Sequence, residues 1–371
     1  MKTRAAVIHE AHTPWEVVEL EVDDPRPHEV LVRWVASGIC YSDLHMVHGD
    51  VRPRFPMIGG HEGAGYIEAV GEGVTDFAVG DAVICAFIPS CGRCRWCATG
   101  QQALCDQGAS TINGNLPGGH FAFHRNGLDY GALGTCASFA QHAILSEYSV
   151  VKIEDDVPFE SVCIVGCGVP TGWGSAVYSA DVLPGDTVIV IGTGGVGINA
   201  VQGARYAGAK RVIAVDPVAL KREVAEQVGA THAVATVEEA HALAQQLTRG
   251  VGADKTIVTV NVIRDNLLNQ ALDTVSKGGT LVITSWADDQ SNNLNISSVL
   301  LTAYNRRIQG TLFGSSNPNY DIPRLVDLYR QGDLKLDELI TRTYTLDQIN
   351  DACDDLENGR NMRGVILHDA V

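Results

Sequence analysis

No run of apolar residues in this 371-residue chain approaches the roughly 20 needed to span a bilayer. Basic residues are scarce: 27 Lys and Arg stand against 44 Asp and Glu, a formal charge of −17. That balance argues against nucleic acid and against an anionic membrane surface as partner, since both are bound through clustered positive charge. The start, Met1-Lys2-Thr3-Arg4-Ala5-Ala6-Val7-Ile8-His9-Glu10, places only four apolar residues before His9 and does not read as a secretory signal. A cytoplasmic location is therefore expected. Internal repeats and low-complexity segments are also missing. What remains is the composition of an ordinary globular protein, 45% hydrophobic and 19% charged, with enough chain for two cores. Cysteine is not scarce. There are ten, four of them between Cys91 and Cys105, and in a long chain expected in a reducing compartment such crowding favours metal over disulfides.

The rhythm of the chain changes once. Up to about residue 153 short alternating segments such as Glu29-Val30-Leu31-Val32-Arg33-Trp34-Val35 predict a β-rich domain, with further strands at 63–71, 80–86, 139–145 and 149–153. Residues 106–135, rich in glycine and holding His120 and His124, are expected to be a functional loop or lid. After residue 186 strands at 187–191, 211–215, 255–260, 280–285 and 307–310 alternate with helices at 196–207, 219–228 and 265–275. Such alternation predicts a parallel, doubly wound sheet. The tail is expected to hold one helix, 322–331, and a closing strand, 364–368. Between the halves lies 162–174, where Cys167 sits in a glycine-dense stretch that would let a flat cofactor approach.

Three motifs carry chemistry. Cys91, Cys94 and Cys97 at spacing three, with Cys105 eight residues on, suit a closed tetrahedral thiolate cage for structural zinc. An iron–sulfur cluster or redox thiols are the alternatives, but the proline that usually follows the last cluster cysteine is missing. Cys40, His61 and Cys167 supply two thiolates and an imidazole, the three-ligand set of a catalytic zinc with an open position. Singly, each reads as a packing cysteine or a satisfied histidine. The neighbours add weight: Glu62 as an exchangeable fourth ligand, Asp43 as acceptor for the His61 ring, and Ser42 and His45 as a path for a proton. Gly192-Thr193-Gly194-Gly195-Val196-Gly197 follows an apolar strand and opens a helix, and Asp216 ends the next strand. That is the context in which a glycine-rich turn binds a dinucleotide pyrophosphate and an acid takes the ribose, favouring NAD(H) over NADP(H). Lys221 joins the expected coenzyme set. The other histidines and Cys85, Cys136, Cys163 and Cys353 read as packing or surface residues.

With these motifs in this order the chain resembles the zinc-dependent medium-chain alcohol dehydrogenases along essentially its full length. The resemblance implies a GroES-like catalytic domain over residues 1–168 and 313–371, with both zinc sites, and a Rossmann NAD(H)-binding domain over 169–312. It puts the catalytic zinc on Cys40, His61 and Cys167 beside Glu62, the structural zinc on the four clustered cysteines, and the proton relay on Ser42 and His45. It also implies that Thr171 and Val196 pack on the nicotinamide and that Arg363 contacts the pyrophosphate. Tyr41 departs from the pattern, since many relatives carry a base there, and residues 108–135 are unlike the usual loop. Residues 88–100 and 166–178 are most similar to an actinobacterial subgroup, the nicotinoprotein or N,N-dimethyl-4-nitrosoaniline-dependent enzymes, which keep NAD(H) bound.

The function this implies is reversible oxidation of an alcohol to an aldehyde or ketone by hydride transfer to NAD, with two zinc ions per subunit. An external redox acceptor and a homodimer or tetramer go with it. The alternatives are a formaldehyde dehydrogenase acting on a thiol adduct with free NAD, and a non-catalytic NAD(H)-binding protein.

Overall fold

Alternation of side chains builds the walls of the first half: in Glu16–Val22, Val18, Leu20 and Val22 turn inward while Glu16, Glu19 and Glu21 face solvent. The computed structural model describes residues 1–264, 266–287 and 296–369. They form two units, residues 1–167 with 317–371, and residues 168–316.

The first unit contains a closed barrel of Lys2–Ile8, Glu16–Val22, Phe123–Arg125, Leu128–Ala132 and Met57–Ile58. Beside it lies a seven-stranded sheet organised on the long strand Glu29–Gly38, which pairs with Gly63–Val70, His142–Ser146 and Arg363–Leu367. Two expectations are corrected here. Residues 106–135 are not loop or lid throughout, because Phe123–Arg125 and Leu128–Ala132 form a hairpin of the barrel wall. Their side chains Phe123, Tyr130 and Ala132 belong to the main core with Trp34, Val32 and Leu145. The tail is also richer than one helix and one strand. It holds Pro318–Arg330, Ile340–Tyr344, Ile349–Glu357 and Arg363–Leu367, and Ile349, Ala352 and Cys353 pack with Leu44 and Met46 in a second core.

The second unit is a six-stranded parallel sheet in the order His232–Val234, Arg211–Val215, Thr187–Ile191, Ala253–Val258, Val275–Ile283, Arg307–Gly310. Numbered along the chain this is 3-2-1-4-5-6, the Rossmann order. The central strand Thr187–Ile191 is buried at every residue, which is why it reads as an unbroken apolar run. The helix expected over 265–275 spans Leu267–Thr274, and Asp265 lies outside the described residues. The glycines after Cys167 serve packing within this unit: a Cβ on Gly172 would stand 1.9 Å from Val196 O, and one on Gly174 2.3 Å from Gly314 O. The unit also keeps Phe313–Ser315 and Ser316, whose hydroxyl donates to Pro170 O at 3.0 Å. The return expected at residue 313 therefore comes at 317.

Candidate active site

Three segments of the first unit deliver the metal-binding set. Cys40 precedes the helix Tyr41–His48, His61 precedes the strand Gly63–Val70, and Cys167 closes the turn Cys163–Gly166. Their ligand atoms lie within 4.8 Å of one another. Asp43 ties two of the segments together: one carboxylate oxygen accepts from Cys40 N at 3.1 Å, the other from Gly60 N at 2.9 Å. The second oxygen also stands 3.5 Å from His61 Nδ1, at the outer limit of a hydrogen bond. Phe87 presses its ring against the imidazole at 5.8 Å, nearly perpendicular. The Cys167 thiol, ahead of His61, holds the Cys40 thiol well below the usual range against the opposing effect of burial, while Cys167 itself is held well above it. Burial pushes His61 down, but Asp43 and Cys40 lift it well above an ordinary imidazole. Two sulfurs and a nitrogen on one small centre, with charge gathered on sulfur, fit zinc with one position left for an exchangeable ligand.

Glu62 and Arg363 meet each other. Glu62 stands outside the three-ligand group, and its carboxylate meets the Arg363 guanidinium. Both side chains are almost wholly enclosed, at 0% and 2% exposure. Arg363 Nη2 also faces Ile39 O at 3.4 Å.

Ser42 Oγ is 3.6 Å from Cys40 Sγ. His45 lies one turn further along the same helix, and its Nδ1 is 2.8 Å from Asp50 Oδ2. Neither Asp50 nor Phe87 stands out in the sequence, where an acid just past Gly49 reads as a turn residue and a lone phenylalanine as core.

The four clustered cysteines converge as a closed group, their sulfurs within 4.8 Å of one another. Cys91 to Cys97 and Cys94 to Cys105 are each 4.0 Å apart. A tetrahedron with Zn–S of 2.3 Å has edges of about 3.8 Å, close to both separations, so the cage suits zinc. Backbone amides, that of Cys97 first, hold the Cys94 thiol down to about 6, whereas burial pushes Cys105 up to about 12. If the cage holds zinc, Cys94→Ser is expected to remove one zinc per subunit and lower the unfolding midpoint, because a loop closed by four thiolates would depend on its metal. Metal analysis with thermal unfolding checks this.

In the second unit Thr187–Ile191 runs into the glycine loop. Gly192 has φ +86°, and a Cβ on Gly197 would lie 1.8 Å from Gly192 O, so both positions demand glycine. Gly194 has nothing within 4 Å of its Cβ position, leaving main chain open to a ligand at the start of Gly197–Tyr206. Gly195 O accepts from Asn199 Nδ2, and Val196 caps that helix. Thr259, a further residue without a sequence signal, donates to Gly192 O at 2.5 Å. Asp216 is more than a ribose acceptor would need to be: its carboxylate takes Thr193 N at 2.9 Å and Val218 N at 3.0 Å. Lys221 stands half-buried on the following helix Ala219–Gln227, and Thr171 is buried in Gly168–Gly174. An open main-chain cradle at a helix start, with an acid fixing its turn, fits a dinucleotide. Asp216→Ala is expected to cost about 1–3 kcal/mol of stability, from buried amides left without acceptors, and to narrow the preference for NAD(H) over NADP(H). Coenzyme titrations of the variant that discriminate as sharply as wild type would remove Asp216 from the ribose.

Comparison with known proteins agrees with this geometry. Residues 26–155 match the family described as alcohol dehydrogenase GroES-like domain, and residues 195–331 that described as zinc-binding dehydrogenase. The chain is 52% identical over 370 residues to an NDMA-dependent alcohol dehydrogenase of Amycolatopsis methanolica, covering 100% of both. It is 35% identical over 371 residues to an S-(hydroxymethyl)glutathione dehydrogenase of Synechocystis, covering 99% of this chain and 100% of the relative. Among solved structures, benzyl alcohol dehydrogenase from Acinetobacter calcoaceticus superposes with a TM-score of 0.92 at 30% identity over 100% of both chains.

Proposed function

Because the chain belongs to the zinc-dependent alcohol dehydrogenase family, we propose that it oxidises alcohols to aldehydes or ketones with NAD(H) held as a resident group, re-oxidised by an external electron acceptor. The observation that carries the chemistry is the convergence of Cys40, His61 and Cys167. These three side chains would hold a zinc whose Lewis acidity would lower the pKa of an alcohol hydroxyl, and the glycine loop Gly192–Gly197 would hold the NAD that would serve as hydride acceptor. The residues of the chain do the rest. Asp43 and Phe87 fix the His61 ring, Ser42 and His45 carry the hydroxyl proton away, and Asp50 receives the His45 Nδ1–H. The cysteine cage holds a second, structural zinc, giving two per subunit, and the subunits assemble as a homodimer or tetramer.

Coenzyme retention is supported by the 52% identity to an enzyme named for its dependence on NDMA. It gains nothing from residues 123–132, which belong to the barrel wall. The thiol-adduct alternative has the weaker support of a 35% identical relative. Gel filtration with absorbance spectroscopy of the eluted protein tests the reading. The protein should emerge carrying a nicotinamide band, added NAD should barely raise alcohol oxidation, and a nitrosoaniline acceptor should sustain many turnovers. Protein free of nicotinamide that shows ordinary saturation by NAD would contradict retention.

A further inference from the structure

Tyr41 opens the helix Tyr41–His48, directly after the metal-binding candidate Cys40. On an α-helix residues four apart lie one above the other, so Tyr41 sits over His45. The two ring centroids are 5.1 Å apart with planes at 71°, an edge-to-face contact. His45 is 4% exposed, and its Nδ1 faces Asp50 Oδ2 at 2.8 Å. An ionised carboxylate can only accept, so in the neutral ring Nδ1 carries the proton and Nε2 keeps the lone pair. Asp50 thus sets which nitrogen can receive a proton, and the Tyr41 ring restricts how the imidazole turns. Of the other charged groups nearby, Asp43 is committed to Cys40 N and Gly60 N, and Glu357 of the C-terminal helix meets His48 at 3.3 Å. His48 is also the second ring beside Tyr41, at 6.3 Å.

We propose that Tyr41 is a positioning residue for proton transfer: its ring holds the His45 imidazole in the orientation that the Asp50 hydrogen bond selects. This rests on the reading of Ser42 and His45 as the relay. Rotation about the last torsion of a histidine is broad and weakly restricted, so a ring without neighbours samples several orientations. An edge-to-face pair shifts such populations by roughly two- to tenfold. Only the conducting orientation passes a proton, so losing the contact slows that step by the same factor. The effect is confined to pH values at which the proton must leave through the relay. At alkaline pH hydroxide takes it directly, and the relay no longer limits.

The test is single-turnover benzyl alcohol oxidation by the zinc- and NAD-loaded enzyme, from mildly acidic to alkaline pH, for wild type, Tyr41→Ala, Tyr41→Phe and His45→Gln. Tyr41→Ala should lose about two- to tenfold at neutral pH, recover at alkaline pH, and leave half-saturation by the alcohol nearly unchanged. Tyr41→Phe, which keeps the ring, should restore most of the loss, and added imidazole should rescue Tyr41→Ala. Tyr41→Leu replaces the alanine variant if that does not fold. A loss equal at every pH, a loss as large in the phenylalanine variant, or a change in coenzyme retention alone would overturn the proposal. His45→Gln separates the two levels. If it shows no pH-dependent loss, the relay itself fails, whereas a pH-dependent loss there with Tyr41→Ala unaffected overturns only the role of Tyr41.

Discussion

Cys167→Ser should lower alcohol turnover by at least about a hundredfold while leaving the far-ultraviolet circular dichroism unchanged. Changing even an outer partner of a metal ligand costs about 10–100-fold, and on the proposed reading Cys167 is itself one of three ligands. Serine keeps the size but not the soft thiolate, so the set drops to one sulfur and one nitrogen. The fold should survive because Cys167 comes after a short turn rather than holding a strand or the cysteine cage. Cys163→Ser is the matched control. It too is a buried thiol of the same turn, its sulfur donates to Glu160 O, and it belongs to neither metal-binding group. That variant should keep its full metal content. Equal losses in both variants would point to general disturbance of the turn instead of a lost ligand.

The second large effect concerns stability. Arg363→Leu should destabilise the protein by about 3–5 kcal/mol, since removing one partner of a buried pair leaves the other charge uncompensated. Glu62 is at 0% exposure, so its carboxylate cannot turn to water for compensation. Glu62→Gln combined with Arg363→Leu should recover a good part of the loss, because a neutral amide is far less costly to bury than a lone carboxylate. Urea unfolding of the single and double variants measures both. If Arg363 served only a coenzyme phosphate, the unfolding midpoint without coenzyme would barely move and coenzyme affinity alone would fall.

Much of this site is legible without coordinates, and the reason is local contiguity. The glycine loop and its strand are eleven consecutive residues, Thr187 to Gly197, and the cage cysteines span Cys91 to Cys105, so spacing alone displays their purpose. Cys40, His61 and Cys167 are far apart but are chemically distinctive types. The Arg363–Glu62 pair is beyond reach because its members are 301 residues apart and ordinary charged residues at the surface look the same in sequence. The hairpin Phe123–Arg125 and Leu128–Ala132 is hidden by its brevity and by His124 and Asp129, which interrupt any apolar alternation and pair with each other at 2.9 Å. The helices Val237–Leu247 and Ile349–Glu357 carry a second kind of signal beside the apolar periodicity that both possess. Thr236 with Glu239, and Thr345 with Gln348, form capping boxes that mark where each helical stretch begins.

The central claim is that two metal-binding groups, one open and one closed, divide chemistry from structure in the first unit. Anomalous diffraction at the zinc edge from crystals of the purified protein tests it most directly. Two peaks are expected, one bounded by Cys40, His61 and Cys167 and one inside the four clustered cysteines. A single peak in the cysteine cage, from protein that still turns over alcohol at its full rate, would contradict it.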